Sequence, residues 1–199
     1  NLIGLTATVN RKDGLEFVTR AIVGPILSKV SAETMTPLVY VHRTKIGPPY
    51  DLDNFLTLLR FLENDAGRID LILRYLAFDL ANGRYILIPV THLSLCSLLV
   101  EKINKAHGEG TAVAFTGKSS RKDIINQARI GAHRVVVGIR SIISTGVNVP
   151  KWDCLYEIVP ISNVPLFTQE VSRVLTKMDD KPVPIIRIFV DEAGISKGC

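Results

Sequence analysis

The sequence has few cysteines, few aromatic residues and no long apolar run. Its 199 residues include three cysteines, which are widely spaced at Cys96, Cys154 and Cys199. Thiols that are so few and odd in number argue against a disulfide framework or a zinc site, and they predict small buried side chains in a reducing compartment, cytoplasmic or nuclear. No apolar run approaches the roughly 18–20 residues that span a bilayer, so no membrane partner is expected. No basic-then-apolar signal segment opens the chain.

Acidic residues are the minority among the charged side chains. The chain carries 24 Lys and Arg against 19 Asp and Glu, which gives a net charge of +5 and a pI near 9.2. A basic balance permits a polyanionic partner such as nucleic acid but does not demonstrate one. Hydrophobic residues make up 47% and charged residues 22%, a globular composition that argues against a disordered chain. The length suits one α/β domain with a small attached piece.

From residue 85 onward, short apolar runs alternate with helical patterns. Strands are predicted at 85–90, 111–115, 134–138, 154–159 and 185–190, and helices at 93–106, 121–129, 141–144 and 166–177. Before them, a strand is predicted at 38–41 and helices at about 52–63 and 69–80. The strands are continuous runs rich in Val and Ile, as expected when helices cover both faces of a sheet. The pattern predicts an α/β fold with a doubly wound, mostly parallel sheet and helices on both faces.

Polar residues gather where the predicted strands end. They include Thr91-His92, Thr116-Gly117-Lys118 and the stretches 139–145 and 146–150. Doubly wound sheets bind ligands outside the carboxyl ends of their strands. We therefore expect the functional site along this edge of the sheet.

One of these clusters imitates a phosphate-binding loop without being one. Thr116-Gly117-Lys118-Ser119 looks like the tail of a P-loop, but that loop needs a glycine five residues before Gly117, where this chain has Ala112 inside a predicted strand. The turn still offers N–H, hydroxyl and ammonium donors to a single backbone phosphate. The alternative is an ordinary strand-to-helix turn with a solvated lysine.

Four segments, taken in order, resemble superfamily 2 helicases. Gly4-Leu5-Thr6-Ala7-Thr8, with Arg11 and Asp13-Gly14 after it, looks like the third motif of that family, and residues 85–92 look like the fourth, with a Thr-Gly turn following at 115–118. Residues 135–150, VVVGIRSIISTGVNVP, are similar to the fifth motif. Residues 169–177, QEVSRVLTK, resemble the sixth motif, Gln-Arg-x-Gly-Arg-x-x-Arg. In style the chain is similar to the compact helicases of bacteriophages and large cytoplasmic DNA viruses, which would place it in a host cytoplasm.

The resemblance implies a RecA-like fold and the motor half of an ATP-dependent nucleic-acid helicase or translocase. Residues 1–30 would be the C-terminal remnant of a first RecA-like domain, and residues 31–199 the second, helicase C-terminal domain. ATP with Mg²⁺ would be held by the N-terminal RecA-like domain of the same chain, whose P-loop and acidic Mg-binding box would lie before Asn1. The 199 residues alone are then expected to hydrolyse no ATP.

The resemblance also assigns roles to individual residues. Arg173, aided by Gln169, would be the catalytic arginine that neutralises charge on the transferred phosphoryl group; its alternative is a surface helix arginine. Thr6 and Thr8 would couple nucleotide state to domain movement. Gly146 and Asn148 would join Arg173 in binding nucleotide, and no metal ligand is assigned. Strand phosphates would be held by Thr116, Gly117 and Lys118, with help from Arg140 and His92, although a histidine after a strand is more often a plain loop residue.

Departures from the family pattern leave other functions open. Glu170 and Thr176 stand where the sixth motif usually has arginine, and Ser172 where it has glycine. In the fifth motif Ile139 and Asn148 replace Thr and Asp, so Asn148 can hydrogen-bond a ribose hydroxyl but brings no charge. Lys177 could substitute for the last arginine as a point charge, and the set predicts a weak or unusually tuned ATPase. The alternatives are a non-catalytic docking module for nucleic acid or protein, and an unrelated α/β protein that binds a nucleotide or a phosphate ester.

Overall fold

The computed structural model describes residues 14–28, 33–46, 54–117, 120–144 and 146–191. Thr6, Thr8 and Lys118, which the sequence analysis singled out, lie outside these ranges. Helices and strands alternate along the described chain much as predicted. The helices are α1 (Glu16–Val23), α2 (Phe55–Asn64), α3 (Ala66–Ala81), α4 (Leu93–His107), α5 (Arg121–Ile130), α6 (Arg140–Ile143) and α7 (Val164–Leu175), and the strands are β1 (Leu38–Arg43), β2 (Ile86–Val90), β3 (Ala112–Phe115), β4 (Val135–Ile139), β5 (Cys154–Glu157) and β6 (Ile185–Val190).

The strands form one six-stranded sheet in the order β1-β6-β5-β2-β4-β3. Every neighbouring pair runs parallel, so the prediction of a doubly wound, mostly parallel sheet is confirmed, with no antiparallel strand in the described sheet. From β2 the chain crosses beyond β4 to reach β3, whereas from β4 it crosses to β5 on the other side of β2. All six strands therefore end at the same edge, where β2 and β4 send the chain in opposite directions.

Strands β2, β4 and β5 bury both of their faces because helices cover the sheet on two sides, whereas the edge strand β1 is largely exposed. On β2, Ile86 and Ile88 pack against α2, α3 and α4, while Leu87 packs on the opposite face. The second face is covered by α5, α6 and α7 through residues such as Ile124, Ile143 and Val174. Side chains alternate between the faces of a strand, so burial on both requires the unbroken apolar runs seen in the sequence.

Local side-chain bonds begin and end several helices. Asn54, Asp65 and Asn163 accept hydrogen bonds from backbone N–H groups in the first turns of α2, α3 and α7, at 2.9, 2.7 and 3.2 Å. These short polar side chains satisfy donors that a helix leaves free at its start. At the other end of α5, Gly131 takes the left-handed conformation with φ 81°, which glycine adopts without steric cost. Short loops capped in this way keep the helices close to the ends of the strands.

Most predicted boundaries differ from the structure by one to three residues. Helix α7 ends at Leu175 rather than at 177, because Thr176 forms an antiparallel bridge with Thr34 and the Leu175 carbonyl accepts a hydrogen bond from Met35 at 3.0 Å. Strand β5 ends at Glu157 rather than at 159. Within the described chain, no helix is both long and apolar enough to cross a membrane.

The predicted burial of cysteine is confirmed where the structure describes it. Cys96 and Cys154 are free thiols inside the apolar core, whereas Cys199 lies outside the described ranges. Burial raises the pKa of the Cys96 thiol to about 11, so the group stays protonated at neutral pH. A protonated, inaccessible thiol is chemically inert and acts as a small apolar side chain.

Candidate functional site

In the segment from 146 to 149, after β4 and α6, every second side chain is buried and anchors the backbone to the core. Val147 and Val149 are fully buried in the core between the sheet and helices α5 to α7, whereas Gly146 and Asn148 are exposed. Arg129 on α5 donates to the Asn148 carbonyl at 3.1 Å and holds the backbone from outside. Gly146 and Asn148, two of the three residues predicted to bind nucleotide, therefore face solvent on a loop that buried neighbours anchor at the carboxyl edge of the sheet.

Helix α7 brings Arg173 to this loop. The Arg173 side chain is half-buried, and its Nη2 donates to the Ser144 carbonyl at 2.9 Å, two residues before Gly146. Its Nε is buried and donates no hydrogen bond. Burial, followed by the charge of Arg121, lowers the pKa of Arg173, although a guanidinium remains charged at neutral pH. Gln169 lies one turn earlier on the same helix and is also half-buried.

A turn at the end of β3 borders the same region. Thr116 is half-buried and Gly117 is exposed, and a side chain added at Gly117 would meet Ile142 of α6 at 3.7 Å. Ala112 is a buried residue of β3, so the described part of this turn has no phosphate-wrapping loop before it. Thr116, Gly117 and α6 thus lie side by side, and Lys118, next in sequence, falls outside the described residues.

The structure places Arg140 differently from the prediction of an accessible phosphate contact. Its guanidinium is buried under α7, where Nη2 pairs with Glu157 and Nε lies 3.4 Å from Oε1 of Glu170. Two carboxylates from β5 and α7 already surround the cation, so a nucleic-acid phosphate cannot reach it without breaking a buried ion pair. We correct the assignment accordingly: Arg140 holds α6 and α7 together.

His92 also has an internal partner that the sequence did not reveal. Its Nδ1 lies 2.6 Å from Oε2 of Glu63 on α2, and its side chain is 34% exposed. A carboxylate beside the ring competes with a phosphate for the same nitrogen. Glu63 would repel an incoming anion, so the structure argues against the predicted contact between His92 and a strand phosphate.

Thr176, which replaces the last arginine of the sixth motif, and Lys177, its suggested substitute, have partners outside this loop. Thr176 bridges to Thr34, and its carbonyl accepts a hydrogen bond from Lys181 at 2.9 Å. Lys177 pairs with Glu33 at 2.7 Å on the surface. The suggestion that Lys177 replaces the missing arginine as a point charge therefore has no support from its contacts.

Arg121 also lies at the site, although the sequence predicts it only as the first residue of a helix. Its Nη2 lies 3.8 Å from the position that a Gly146 side chain would take. The sequence does contain a signal. Arg121 and Lys122 open α5, and the positive end of a helix dipole disfavours cations there. A pair of basic residues at a helix start is therefore worth testing for a function.

No three His, Cys, Asp or Glu side chains of the described chain come together as metal ligands. The groups that face solvent around Gly146 are guanidinium and amide donors, which suit an anion rather than a metal ion. A nucleotide phosphate fits this donor set. The residues that would hold its Mg²⁺ are not among those that meet here.

Comparison with solved structures shows where this architecture recurs. The chain is similar to the C-terminal part of the Fun30 ATPase domain, with a TM-score of 0.58 at 12% identity, covering 68% of this chain and 44% of that one. It is similar to T4 UvsW, with a TM-score of 0.58 at 17% identity and coverage of 77% and 32%. It is also similar to helicase Lhr of Mycobacterium smegmatis, solved with single-stranded DNA and AMP-PNP. The TM-score is 0.54 at 18% identity, and the match covers 78% of this chain and 19% of that one.

These likenesses show the fold: a RecA-like α/β domain of the kind found in the C-terminal parts of helicases and related ATPases. The chain spans less than half the length of the three proteins named. No protein-family model and no curated protein sequence matches the chain.

Proposed function

We propose that this chain is the second RecA-like domain of an ATP-dependent nucleic-acid helicase or translocase of superfamily 2. The observation that carries the proposal is the approach of Arg173 to the loop of Gly146 and Asn148, at the carboxyl edge of a RecA-like sheet. In this proposal residues 1–30 belong to a first RecA-like domain and residues 31–199 to the second. ATP and its Mg²⁺ are bound by the first domain.

The chemistry assigned to Arg173 follows from where charge develops in ATP hydrolysis. Negative charge spreads over the γ-phosphoryl oxygens, and a guanidinium from a second domain stabilises it in a cleft that excludes water. The Arg173 guanidinium is preorganised for this role, because its Nη2 donates a hydrogen bond to the Ser144 carbonyl while its Nε has no protein partner. Gln169, one turn earlier, would orient the attacking water or the phosphate, and Asn148 would hydrogen-bond a ribose hydroxyl.

Nucleic acid is the second substrate in this proposal. Thr116 and Gly117, which follow β3, would hold a strand phosphate together with Lys118, the next residue in the sequence, and the chain's net charge of +5 permits a polyanionic partner. Lhr, of which one part is similar in fold to this chain, is bound to both single-stranded DNA and AMP-PNP in its solved structure. Thr6 and Thr8 would transmit nucleotide state between the domains.

A non-catalytic docking module is the alternative, and one observation favours it. Glu170 stands where the family pattern has arginine, and it is committed to a buried ion cluster with Arg140 and Glu157. A motor that had lost its nucleotide chemistry would tolerate this exchange. The half-buried, preorganised Arg173 argues for a working site.

The test compares Arg173→Ala with Arg74→Ala in the natural full-length protein. Arg74 is an exposed arginine of α3 and serves as the matched control. With saturating single-stranded nucleic acid, we expect Arg173→Ala to lower kcat on the order of 10³-fold and to change KM for ATP little, because the guanidinium acts in the transition state. If Arg173→Ala turns over ATP as fast as Arg74→Ala, the motor proposal is overturned and the docking module takes its place.

A further inference from the structure

We infer that Arg121 is a second phosphate-binding residue of this site, acting with Arg173 on the same anion, the terminal phosphate of a bound nucleotide. The inference rests on the proposed function and adds a residue to it. The two guanidinium groups approach one loop from different helices. Arg121 comes from the first turn of α5 and lies 3.8 Å from the side-chain position of Gly146, and Arg173 comes from α7 and is bonded to the Ser144 carbonyl.

The first argument is electrostatic. Arg121 is exposed and has no hydrogen-bond or ion-pair partner among the described residues, and Arg173 is bonded to a neutral carbonyl rather than to a carboxylate. The positive charge of Arg121 lowers the pKa of Arg173, after the larger effect of burial, so the two cations repel each other. Like charges held close without a counter-charge destabilise a fold unless a ligand neutralises them. An anion between them would turn the repulsion into attraction.

The second argument is that the position of Arg121 opposes the helix dipole. Arg121 and Lys122 are the first two residues of α5, and the N-terminal end of a helix carries partial positive charge. A basic residue there is unfavourable for the isolated helix, and Asp123, the acidic residue of the same turn, forms no ion pair with Arg121 within the described chain. The cost is understandable if the guanidinium serves an incoming anion, since the anion and the helix end also attract each other.

The third argument concerns space. Gly146 has φ 63°, a conformation that suits glycine, and around its missing side chain the nearest group is the Arg121 guanidinium at 3.8 Å. The loop therefore leaves open volume beside Arg121. A side chain at this position would fill the approach to the guanidinium, so the glycine keeps room for a ligand.

Three other basic residues, which could also bind the phosphate, already have protein partners. Arg140 is enclosed by Glu157 and Glu170, and Lys177 is paired with Glu33. Arg129 is bonded to the Asn148 carbonyl. Arg121 thus has no protein partner beside Arg173 within the described part of the site, unlike these three residues.

The reaction concerned is hydrolysis of a phosphoanhydride. The oxygen of a water molecule forms a bond to the γ-phosphorus while the bond from that phosphorus to the β–γ bridging oxygen breaks. The bond's electron pair stays on the β-phosphate of ADP, and the protons of water pass to the released phosphate and to solvent. Arg121 exchanges no proton, because a guanidinium stays charged at neutral pH; it stabilises the negative charge that grows on the phosphoryl oxygens.

The experiment measures ATP turnover by the natural full-length protein with saturating single-stranded nucleic acid. Arg121→Ala, Arg121→Lys and Arg173→Ala are compared with Lys122→Ala, the adjacent basic residue of α5. We expect Arg121→Ala to lower kcat about 100-fold with a smaller change in KM, and Arg121→Lys to recover part of the loss, since an ammonium keeps the charge but not the fork. Lys122→Ala should turn over ATP like the unmodified protein.

A second readout separates a phosphate contact from a change in folding. Arg121→Ala should weaken binding of the transition-state analogue ADP–aluminium fluoride far more than binding of ADP. The thermal unfolding midpoint of the ligand-free variant should not fall, and it should rise slightly because the repulsion from Arg173 and from the helix end is removed. If Arg173→Ala loses activity while Arg121→Ala does not, the inference is overturned and the proposed function stands. If the unmodified protein shows no turnover stimulated by nucleic acid, the proposed function fails and this inference fails with it.

Discussion

Arg140 and Glu170 face each other in the protein interior, with Nε of the arginine 3.4 Å from Oε1 of the glutamate. On its other side the same guanidinium pairs with Glu157. Two buried carboxyl groups thus share one cation, and neither oxygen of Glu170 accepts a hydrogen bond. Burial, followed by the charge of Glu157, raises the pKa of Glu170 to about 8, and burial also raises the pKa of Glu157. The cluster therefore retains a proton at neutral pH.

This proton makes the stability of the fold dependent on pH. The pKa of Glu170 rises from 4.5 to about 8 on folding, so the folded protein binds a proton that the unfolded chain releases between these values. Stability from this group is complete below pH 4.5 and declines as pH rises towards 8, by at most about 1.4 kcal/mol per pH unit. Urea unfolding of Glu170→Gln, which stays neutral, should show a shallower decline from pH 5 to 9 than the unmodified chain.

The control for this measurement is Glu101→Gln, the same chemical change at an exposed position of α4. Its stability profile should run parallel to that of the unmodified chain, because both forms of the side chain are solvated. If the Glu170→Gln profile is parallel as well, Glu170 is ionised in the folded protein across this range and the prediction is wrong.

A second ion pair anchors α3 to the sheet. Arg187 of β6 donates two hydrogen bonds to Asp79, at 2.6 and 2.7 Å, and the Tyr156 hydroxyl donates a third at 2.6 Å. Burial alone would raise the pKa of Asp79, but these bonds hold it below its ordinary value. Asp79→Ala leaves a buried guanidinium without its partner and should cost about 3–5 kcal/mol of unfolding free energy. Tyr156→Phe should cost about 1 kcal/mol.

Chemical denaturation at pH 7 measures both changes. Asp70→Ala supplies the control, since Asp70 is an exposed aspartate of the same helix. We expect that variant to unfold within about 0.5 kcal/mol of the unmodified chain. Equal losses in Asp79→Ala and Asp70→Ala would show that the buried pair does not hold α3 in place.

Gly138 lets α6 pack on β4. A Cβ at this position would lie 2.7 Å from Cδ1 and 2.9 Å from Cγ1 of Ile143, and 3.1 Å from Cβ of Phe115. Gly138→Ala should therefore destabilise the fold by about 1–3 kcal/mol, measured by thermal or urea unfolding. It should also displace the start of the loop that carries Gly146. Gly67→Ala, in the first turn of α3 with 3.4 Å to its nearest contact, is expected to be neutral or slightly stabilising.

Nucleic-acid binding by the chain should depend strongly on salt. Phosphate contacts release counterions, so the logarithm of affinity for a single-stranded oligonucleotide falls with the logarithm of salt concentration. Lys118→Ala should weaken binding by a similar factor on all sequences and reduce the salt slope by about one. Lys105→Ala, near the C-terminal end of α4, should leave the slope unchanged. A Lys118→Ala slope that equals the unmodified one would show that the turn after β3 does not contact the strand.

The sequence by itself determined the order and type of the elements. The runs around Ile86–Val90 and Val135–Ile139 are apolar at every position, and only a sheet covered on both sides buries such strands completely. Alternating strands and helices then require parallel crossovers. The same pattern placed Gly146 and Asn148 near one edge, because residues that follow parallel strands lie on the same side, whereas Arg173 was assigned through the resemblance of residues 169–177 to the sixth motif.

Which charged residue at that edge remains accessible was decided by tertiary structure. Arg140 comes directly after β4 and Arg121 lies six residues beyond the end of β3, but this spacing does not show which guanidinium stays accessible. Glu170, 30 positions along the chain from Arg140, lies against the Arg140 guanidinium in the folded protein. No acidic side chain forms an ion pair with Arg121 in the described structure. Charge interactions act through space and depend on burial, so their partners come from elements distant in the chain. Periodicity places a residue on a strand or helix, but packing alone decides whether its charge is left for a ligand.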